Sequence, residues 1–146
     1  MKKIDFEKLL NSITYWLSYQ DRIGRDFMIQ ENSLKYPLAD YLTGLGIPTS
    51  NLALEFSHPY LNQREIDLVK YNIETKDSQR EIDFAVEIKM VKSYTRFEPE
   101  KCRIFNDLMR LYLLNQEKGI SCYFIICGKQ NEFIAHFRNL VYRRPV

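Results

Sequence analysis

Three residues near the middle of the sequence have types and spacing that could do chemistry. Glu87 and Lys89 are separated by a single residue, Ile88, and a further carboxylate lies upstream at Asp67. On a strand, residues two apart project from the same face about 7 Å from one another. A carboxylate combined with a Glu-x-Lys on the next strand is a way to hold a divalent cation beside a basic group. The pattern therefore predicts a metal site with a lysine next to it.

The stretch Glu81–Lys92 has the alternation of a strand that must position these groups. Its apolar face consists of Ile82, Phe84, Val86, Ile88 and Met90, and its other face consists of Asp83, Ala85, Glu87, Lys89 and Val91. Asp83 shares the face of Glu87. We expect it to pair with a basic group across the neighbouring hairpin instead of joining the site.

Periodicity and turn residues predict the elements around this strand. In chain order these are a helix with apolar positions from Phe6 to Leu17, a turn from Ser18 to Asp26, a helix through Leu34–Leu45, strands Asn51–His58, Arg64–Glu74 and Glu81–Lys92, a helix Glu100–Glu117, a strand Ser121–Gly128 buried on both faces, and a closing helix through Phe133–Val141. We predict an α+β fold of three-layer α/β/α type. Its αβββαβ core would hold a mixed four-stranded central sheet, with an extra N-terminal helix and a C-terminal helix. One domain is expected over residues 1–146.

Glu31 is a fourth candidate. It lies three residues before Leu34, so it would share the inward face of the second helix if that helix extended so far. Pro37 cannot donate the helical hydrogen bond to Ser33, so the helix either kinks there or begins there with Glu31 in the preceding turn. Glu31 is then either a site residue or an ordinary capping or surface carboxylate.

Composition excludes several classes of protein. The 146 residues are 45% hydrophobic and 27% charged, which is typical of a globular chain, and the net charge of +2 announces no nucleic-acid binding by itself. No apolar run is long enough to cross a membrane, and charged residues interrupt any signal sequence. The three cysteines have no CxxC spacing. We therefore expect free thiols and a cytoplasmic protein.

The order of elements, with Asp67 on the second strand and Glu87-Ile88-Lys89 on the third, resembles the PD-(D/E)XK nuclease superfamily. The resemblance covers roughly residues 31–128, and Ile66 replaces the proline of the motif. It implies that Asp67, Glu87 and the Ile88 carbonyl bind Mg²⁺ or Mn²⁺, and that Lys89 is catalytic. It also makes Glu31 the candidate for the glutamate that many members place on the helix before the sheet.

By this resemblance the chain is a metal-dependent endonuclease, with DNA as the favoured substrate and RNA as an alternative. Basic residues after the motif could contact phosphates: Lys92, Arg96, Lys101, Arg103 and Arg110. A solvated helix face explains Arg103 and Arg110 equally well. The resemblance also allows a homodimer.

Two further interpretations remain open. In one, the face carrying Glu87 and Lys89 is simply solvated, and the two side chains form a weak surface pair. In the other, the fold is kept without catalysis, as an interaction or immunity-type module. This second interpretation predicts carboxylates that do not converge and a large exposed apolar patch.

Overall fold

A four-stranded mixed sheet with helices on both faces forms the centre of the protein. The computed structural model describes residues 5–62, 64–72, 81–92 and 97–141. The elements are α1 (Phe6–Arg22), α2 (Lys35–Gly44), β1 (Leu52–Ser57), β2 (Glu65–Asn72), β3 (Glu81–Val91), α3 (Phe97–Lys118), β4 (Ser121–Gly128) and α4 (Gln130–Val141). The strand order is β1-β2-β3-β4, antiparallel except for the parallel β3–β4 pair. The predicted α+β class is confirmed.

The core is divided by the sheet into two layers. Against one face pack α1 and α2, through side chains such as Leu9 and Leu38, which are fully buried. Against the other face packs α3, through Leu111 and Leu114. Polar side chains in the middle of β3, such as Glu87 and Lys89, therefore project into an interior layer and not into bulk water. Within the described residues, no helix combines the length and apolarity that crossing a membrane requires.

The helices begin and end differently from the predictions in two places. The turn predicted over Ser18–Asp26 begins too early, because α1 continues to Arg22 and the Ser18 hydroxyl donates to the Thr14 carbonyl at 2.8 Å. The turn itself follows α1 and includes Gly24, whose φ is 72°. Helix α2 begins at Lys35, so Pro37 lies in its first turn, where a missing N–H costs little. Glu31 opens the short 3₁₀ turn Glu31–Leu34 just before α2, as one of the two predicted alternatives has it.

The strands differ from simple alternation at a bulge in β3. The β2–β3 register pairs Lys70 with Phe84 but Tyr71 with Ile82, so Asp83 is an extra residue. Ile82 consequently packs on the α3 side, although alternation predicted it beside Phe84.

The prediction that β4 is buried on both faces holds only in part. This strand is at the edge of the sheet, and most of its side chains are half-exposed.

Candidate functional site

The candidate site lies where β2 and β3 separate. Their pairing runs only from Asn72–Glu81 to Leu68–Val86. Beyond that point β2 continues beside β1 as far as Glu65, and β3 continues beside β4 as far as Val91. We call the gap between residues 65–67 of β2 and residues 87–91 of β3 the fork. In the fork, β3 has an edge that no strand among the described residues covers.

Two carboxylates take over the backbone donors on this edge of β3. The Ile88 N–H donates to Asp67 Oδ2 at 2.8 Å, and the Met90 N–H donates to Glu31 Oε2 at 3.2 Å. Since the N–H and C=O of a strand residue project to the same side, the Ile88 carbonyl also faces the fork. Asp67 and Glu31 therefore stand where a neighbouring strand would have placed carbonyl groups.

The backbone is irregular beside Asp67. Ile66 packs on the α3 side and Leu68 on the opposite side, so the alternation of β2 breaks at the residue between them. On β1 the regular pairing skips Glu55, whose φ of 51° is in the left-handed region. A non-glycine residue in this region costs about 1–3 kcal/mol, and such strain concentrates at functional sites.

Lys35 on α2 joins these two irregular positions. Its Nζ lies 2.9 Å from Asp67 Oδ1 and 3.1 Å from Glu55 Oε1. Burial disfavours the charge of Lys35, but its hydrogen bonds and charge interactions with Asp67 and then Glu55 outweigh burial and raise the pKa of the ammonium. Lys35 thus enters the site as a cation.

Glu87 and Lys89 project toward α3 and are buried, with 4% and 7% of their surface exposed. The interpretation of this face as a solvated surface is therefore wrong. Burial, and next the neighbouring charge of Asp67, raise the pKa of Glu87 to about 8, while Arg110 opposes the shift. Asp67 and Glu87 are close enough to repel one another.

Helix α3 contributes two residues to this cluster, Arg110 beside Glu87 and Asp107 beside Lys89. Arg110 Nη2 lies 3.0 Å from Glu87 Oε1, and Arg110 also pairs with Asp107 one helical turn earlier. Lys89 Nζ lies 3.2 Å from Glu31 Oε2 and 4.0 Å from Asp107 Oδ2. One connected cluster of charges therefore includes all of the predicted catalytic side chains.

Sequence reasoning missed three members of this cluster, Lys35, Glu55 and Asp107, and placed the fourth, Arg110, only among the possible phosphate contacts. The signal for the two α3 residues was their i, i+3 spacing on a polar stripe, which is equally typical of a solvated helix face. Lys35 and Glu55 carry no local signal, because they meet Asp67 only in the folded chain.

The remaining predicted residues lie elsewhere or have structural partners. Asp83 pairs with Lys70 across β2 and β3, as expected of a residue outside the site. Lys92 donates to the Ile29 carbonyl. Lys101 and Arg103 lie near the start of α3, the first half-buried and the second exposed, and Arg96 is outside the described residues.

The acidic groups of the cluster outnumber the basic ones, so a bound cation would offset the excess negative charge. Glu87 is buried and Asp67 and Asp107 are each 15% exposed, and all three lie among the cationic Lys35, Lys89 and Arg110. Once Glu87 is ionised, Glu31 and Glu55 at the rim make five negative charges against three positive ones, and water partly screens the two at the rim. Within the described part of the chain, Glu87 Oε1 is buried without a well-formed hydrogen bond, so its 3.0 Å contact with Arg110 is an ion pair only.

The donor set fits some metal ions better than others. No group of three or more His, Cys, Asp or Glu side chains suited to a metal occurs among residues 5–62, 64–72, 81–92 and 97–141. This arrangement is unlike a dedicated protein cage. Mg²⁺, however, is commonly held by one or two carboxylates and keeps several waters. Asp67 and Glu87, two hard oxygen donors with an excess of negative charge around them, fit such an ion.

Comparisons with protein-family models, with curated proteins and with solved structures find no match to this chain. The resemblance to PD-(D/E)XK nucleases therefore rests on the residues and the order of elements described above.

Proposed function

We propose that this protein is a metal-dependent nuclease that hydrolyses phosphodiester bonds, with DNA as the favoured substrate. The observation that carries the proposal is the meeting of four side chains at the fork. Asp67 comes from β2, Glu87 and Lys89 from β3, and Glu31 from the turn before α2. Two carboxylates beside a buried lysine supply what the hydrolysis of a phosphodiester requires.

Asp67 and Glu87, together with the Ile88 carbonyl, would hold Mg²⁺ or Mn²⁺. When bound, such an ion lowers the pKa of its water and neutralises charge on the phosphate. The Ile88 N–H fixes one oxygen of Asp67, so this carboxylate is oriented before any ligand arrives. Preorganised groups of this kind need little rearrangement during reaction.

Lys89 is the residue that acts on the reacting phosphate. Its ammonium would stabilise the negative charge that develops in the transition state, or orient the attacking water. Glu31 contacts the Lys89 ammonium and a β3 N–H at once, so it holds the lysine against the uncovered edge. Lys35 restrains the other oxygen of Asp67.

Cleavage assays on a panel of substrates test the proposal. Labelled single-stranded, duplex and branched DNA and single-stranded RNA would be incubated with the protein in Mg²⁺, in Mn²⁺ and in a chelator. We expect cleavage of at least one DNA substrate that requires the metal and is lost in Asp67→Asn, which excludes a contaminating nuclease. A correctly folded protein that cleaves none of the substrates would refute the proposal, and cleavage of RNA alone would move it to the RNA alternative.

A second candidate function is favoured by the outer face of α3. Five large apolar residues on this face are each between 40% and 62% exposed: Phe105, Leu108, Met109, Tyr112 and Leu113. An exposed stripe of this kind is the patch that the interaction-module interpretation predicts. The convergence of the charged residues at the fork is what the same interpretation does not predict.

The favoured occupant of this stripe is a second copy of the chain. Lys101 lies one turn before Phe105 and Glu117 one turn after Leu113. An antiparallel pairing about a two-fold axis would place Lys101 near Glu117 of the partner subunit. We expect sedimentation to show a dimer that Met109→Glu dissociates. A monomer at all concentrations would refute this role.

A further inference from the structure

Helix α3 contributes Asp107 and Arg110, which are not among the residues that the motif predicts. Their side chains are 15% and 20% exposed, so both are largely buried between the helix and the sheet. Each contacts the other and a different functional side chain of β3. Their contacts with β3 distinguish them from an ordinary i, i+3 ion pair on a helix surface.

We infer that Asp107 and Arg110 are positioning residues for the two functional side chains of β3. Asp107 aims the Lys89 ammonium, and Arg110 aims the Glu87 carboxylate. The inference rests on the proposed function and adds two residues with separable roles to it.

Asp107 and Glu31 flank the Lys89 ammonium from two different elements. The nearest distances are 3.2 Å to Glu31 Oε2 and 4.0 Å to Asp107 Oδ2. A lysine has a long and flexible stem, and a single carboxylate would leave its ammonium several directions in which to point. Two carboxylates on opposing elements restrict it to the space between β3 and α3.

Arg110 connects both sides of the fork. Its Nη2 lies 3.0 Å from Glu87 Oε1 on β3, and its Nη1 donates at 3.2 Å to the Glu65 carbonyl at the start of β2. The guanidinium is planar and rigid, so these contacts fix where Glu87 Oε1 lies relative to β2. Glu87 also shares a side-chain hydrogen bond with Asp67, so the two carboxylates that would hold a cation lie together.

Separate effects of two variants distinguish positioning from simple stabilisation. Asp107→Asn keeps the shape of the side chain but weakens its hold on Lys89. We expect kcat to fall roughly tenfold to a hundredfold, the usual range for a residue that orients a ligand or catalytic group, with Mn²⁺ affinity unchanged. Arg110→Ala removes a nearby positive charge, which by itself would favour cation binding, but it also removes the group that holds Glu87 beside β2. If Arg110 positions Glu87, the loss of positioning outweighs the charge and Mn²⁺ affinity falls by roughly the same factor.

The experiment measures Mn²⁺ affinity by calorimetry and kcat by cleavage for both variants, for Arg110→Lys and for Arg22→Ala. Arg22 is an exposed helical arginine at the end of α1 and serves as the matched control. Arg110→Lys should recover part of the affinity, because an ammonium can reach Glu87 but cannot also bind the Glu65 carbonyl as the two-pronged guanidinium does. Thermal unfolding of each variant shows whether it is folded.

Each outcome has a definite meaning. Opposite signatures, with kcat lost in Asp107→Asn and affinity lost in Arg110→Ala, support the inference. The inference alone is overturned if the wild-type protein binds Mn²⁺ and cleaves but both α3 variants behave like Arg22→Ala. It is also overturned if both variants lose Mn²⁺ affinity and kcat in proportion to their loss of stability. A wild-type protein that neither binds Mn²⁺ nor cleaves overturns the proposed function together with it.

Discussion

The two ends of the β2–β3 pair use similar residues in different ways. At the paired end, between Leu68–Val86 and Asn72–Glu81, the backbone groups bond to one another, and the Asp83 carboxylate has a lysine partner in Lys70. At the fork the strands part, and carboxylates bind the backbone N–H groups instead. Acidic groups also outnumber basic ones there. The comparison shows that the candidate site lies where the regular pairing of β2 and β3 ends.

The comparison also shows why burial alone does not define the site. Lys70 and Asp83 are 17% and 21% exposed and form a pair whose charges cancel. Glu87 is more buried, and both burial and the neighbouring Asp67 raise its pKa, to about 8. A carboxyl group whose pKa stays far from its ordinary value despite its ion-pair partners is a better indicator of function than one whose charge a partner neutralises.

The largest expected effect comes from Asp67→Asn. This change keeps the hydrogen-bonding shape but removes one of the two negative charges that would bind the cation. We expect Mn²⁺ binding to be lost and cleavage to fall by more than roughly a hundredfold, beyond the range for residues outside the ligand set. Calorimetry and the cleavage assay measure the two quantities. Retained metal affinity in Asp67→Asn would contradict the assignment of this residue.

Lys89→Met should have the next largest effect. The methionine occupies the space of the lysine's apolar stem but has no ammonium to stabilise the transition state, so kcat should fall by about 10² to 10³. Mn²⁺ affinity should not fall, because a positive charge has been removed from beside the cation site. Lys70→Met is the matched control on β2 and should cleave normally. Equal losses in both variants would show that the fork is no different from the paired end.

Glu87 should make both stability and metal binding depend on pH. Its pKa rises from an ordinary value of 4.5 to about 8 in the folded protein. Between these values the folded state holds a proton that the unfolded state has lost, so the free energy of unfolding should decrease as pH rises through this window and level off above it. Glu87→Gln should remove this part of the decrease, as denaturant unfolding at several pH values would show.

Metal binding should have the opposite dependence. A carboxylate must lose its proton to bind a cation, so Mn²⁺ affinity should increase with pH up to about 8 and then level off. An affinity that is flat across this range would count against Glu87 as a ligand.

The smallest effect should come from Asp83→Asn at the paired end. Breaking a partly exposed pair of this kind costs about 1 kcal/mol or less in the free energy of unfolding. Cleavage and Mn²⁺ affinity should stay at wild-type values. A loss of cleavage here comparable to that in Asp67→Asn would remove the distinction between the two ends of the strand pair.

The sequence was enough to predict the α+β class with its mixed four-stranded sheet and the residues of the candidate site that lie on β3. Alternation put Glu87 and Lys89 on one face because β3 is regular from Phe84 onward. It failed at Ile82, where the bulge at Asp83 reverses the faces. The bulge depends on how β3 pairs with β2, so the spacing of apolar residues within β3 alone cannot predict it.

The fork itself could not be predicted, because it results from contacts between distant segments. Lys35 lies far from Asp67 in sequence, and the left-handed backbone of Glu55 is tolerated only because the surrounding sheet imposes it. Glu31 was predicted as one of two alternatives, and its bond to the Met90 N–H depends on β2 leaving that edge uncovered. Asp107 and Arg110 looked like surface charges until α3 was placed on the sheet.

The most direct test of the proposed site is a crystal structure of the protein soaked in Mn²⁺, with the ion located by its anomalous scattering. We predict one ion between Asp67 and Glu87, with the Ile88 carbonyl among its ligands and the Lys89 ammonium facing the same space. A map with no ion between the two carboxylates at a saturating Mn²⁺ concentration would contradict the account.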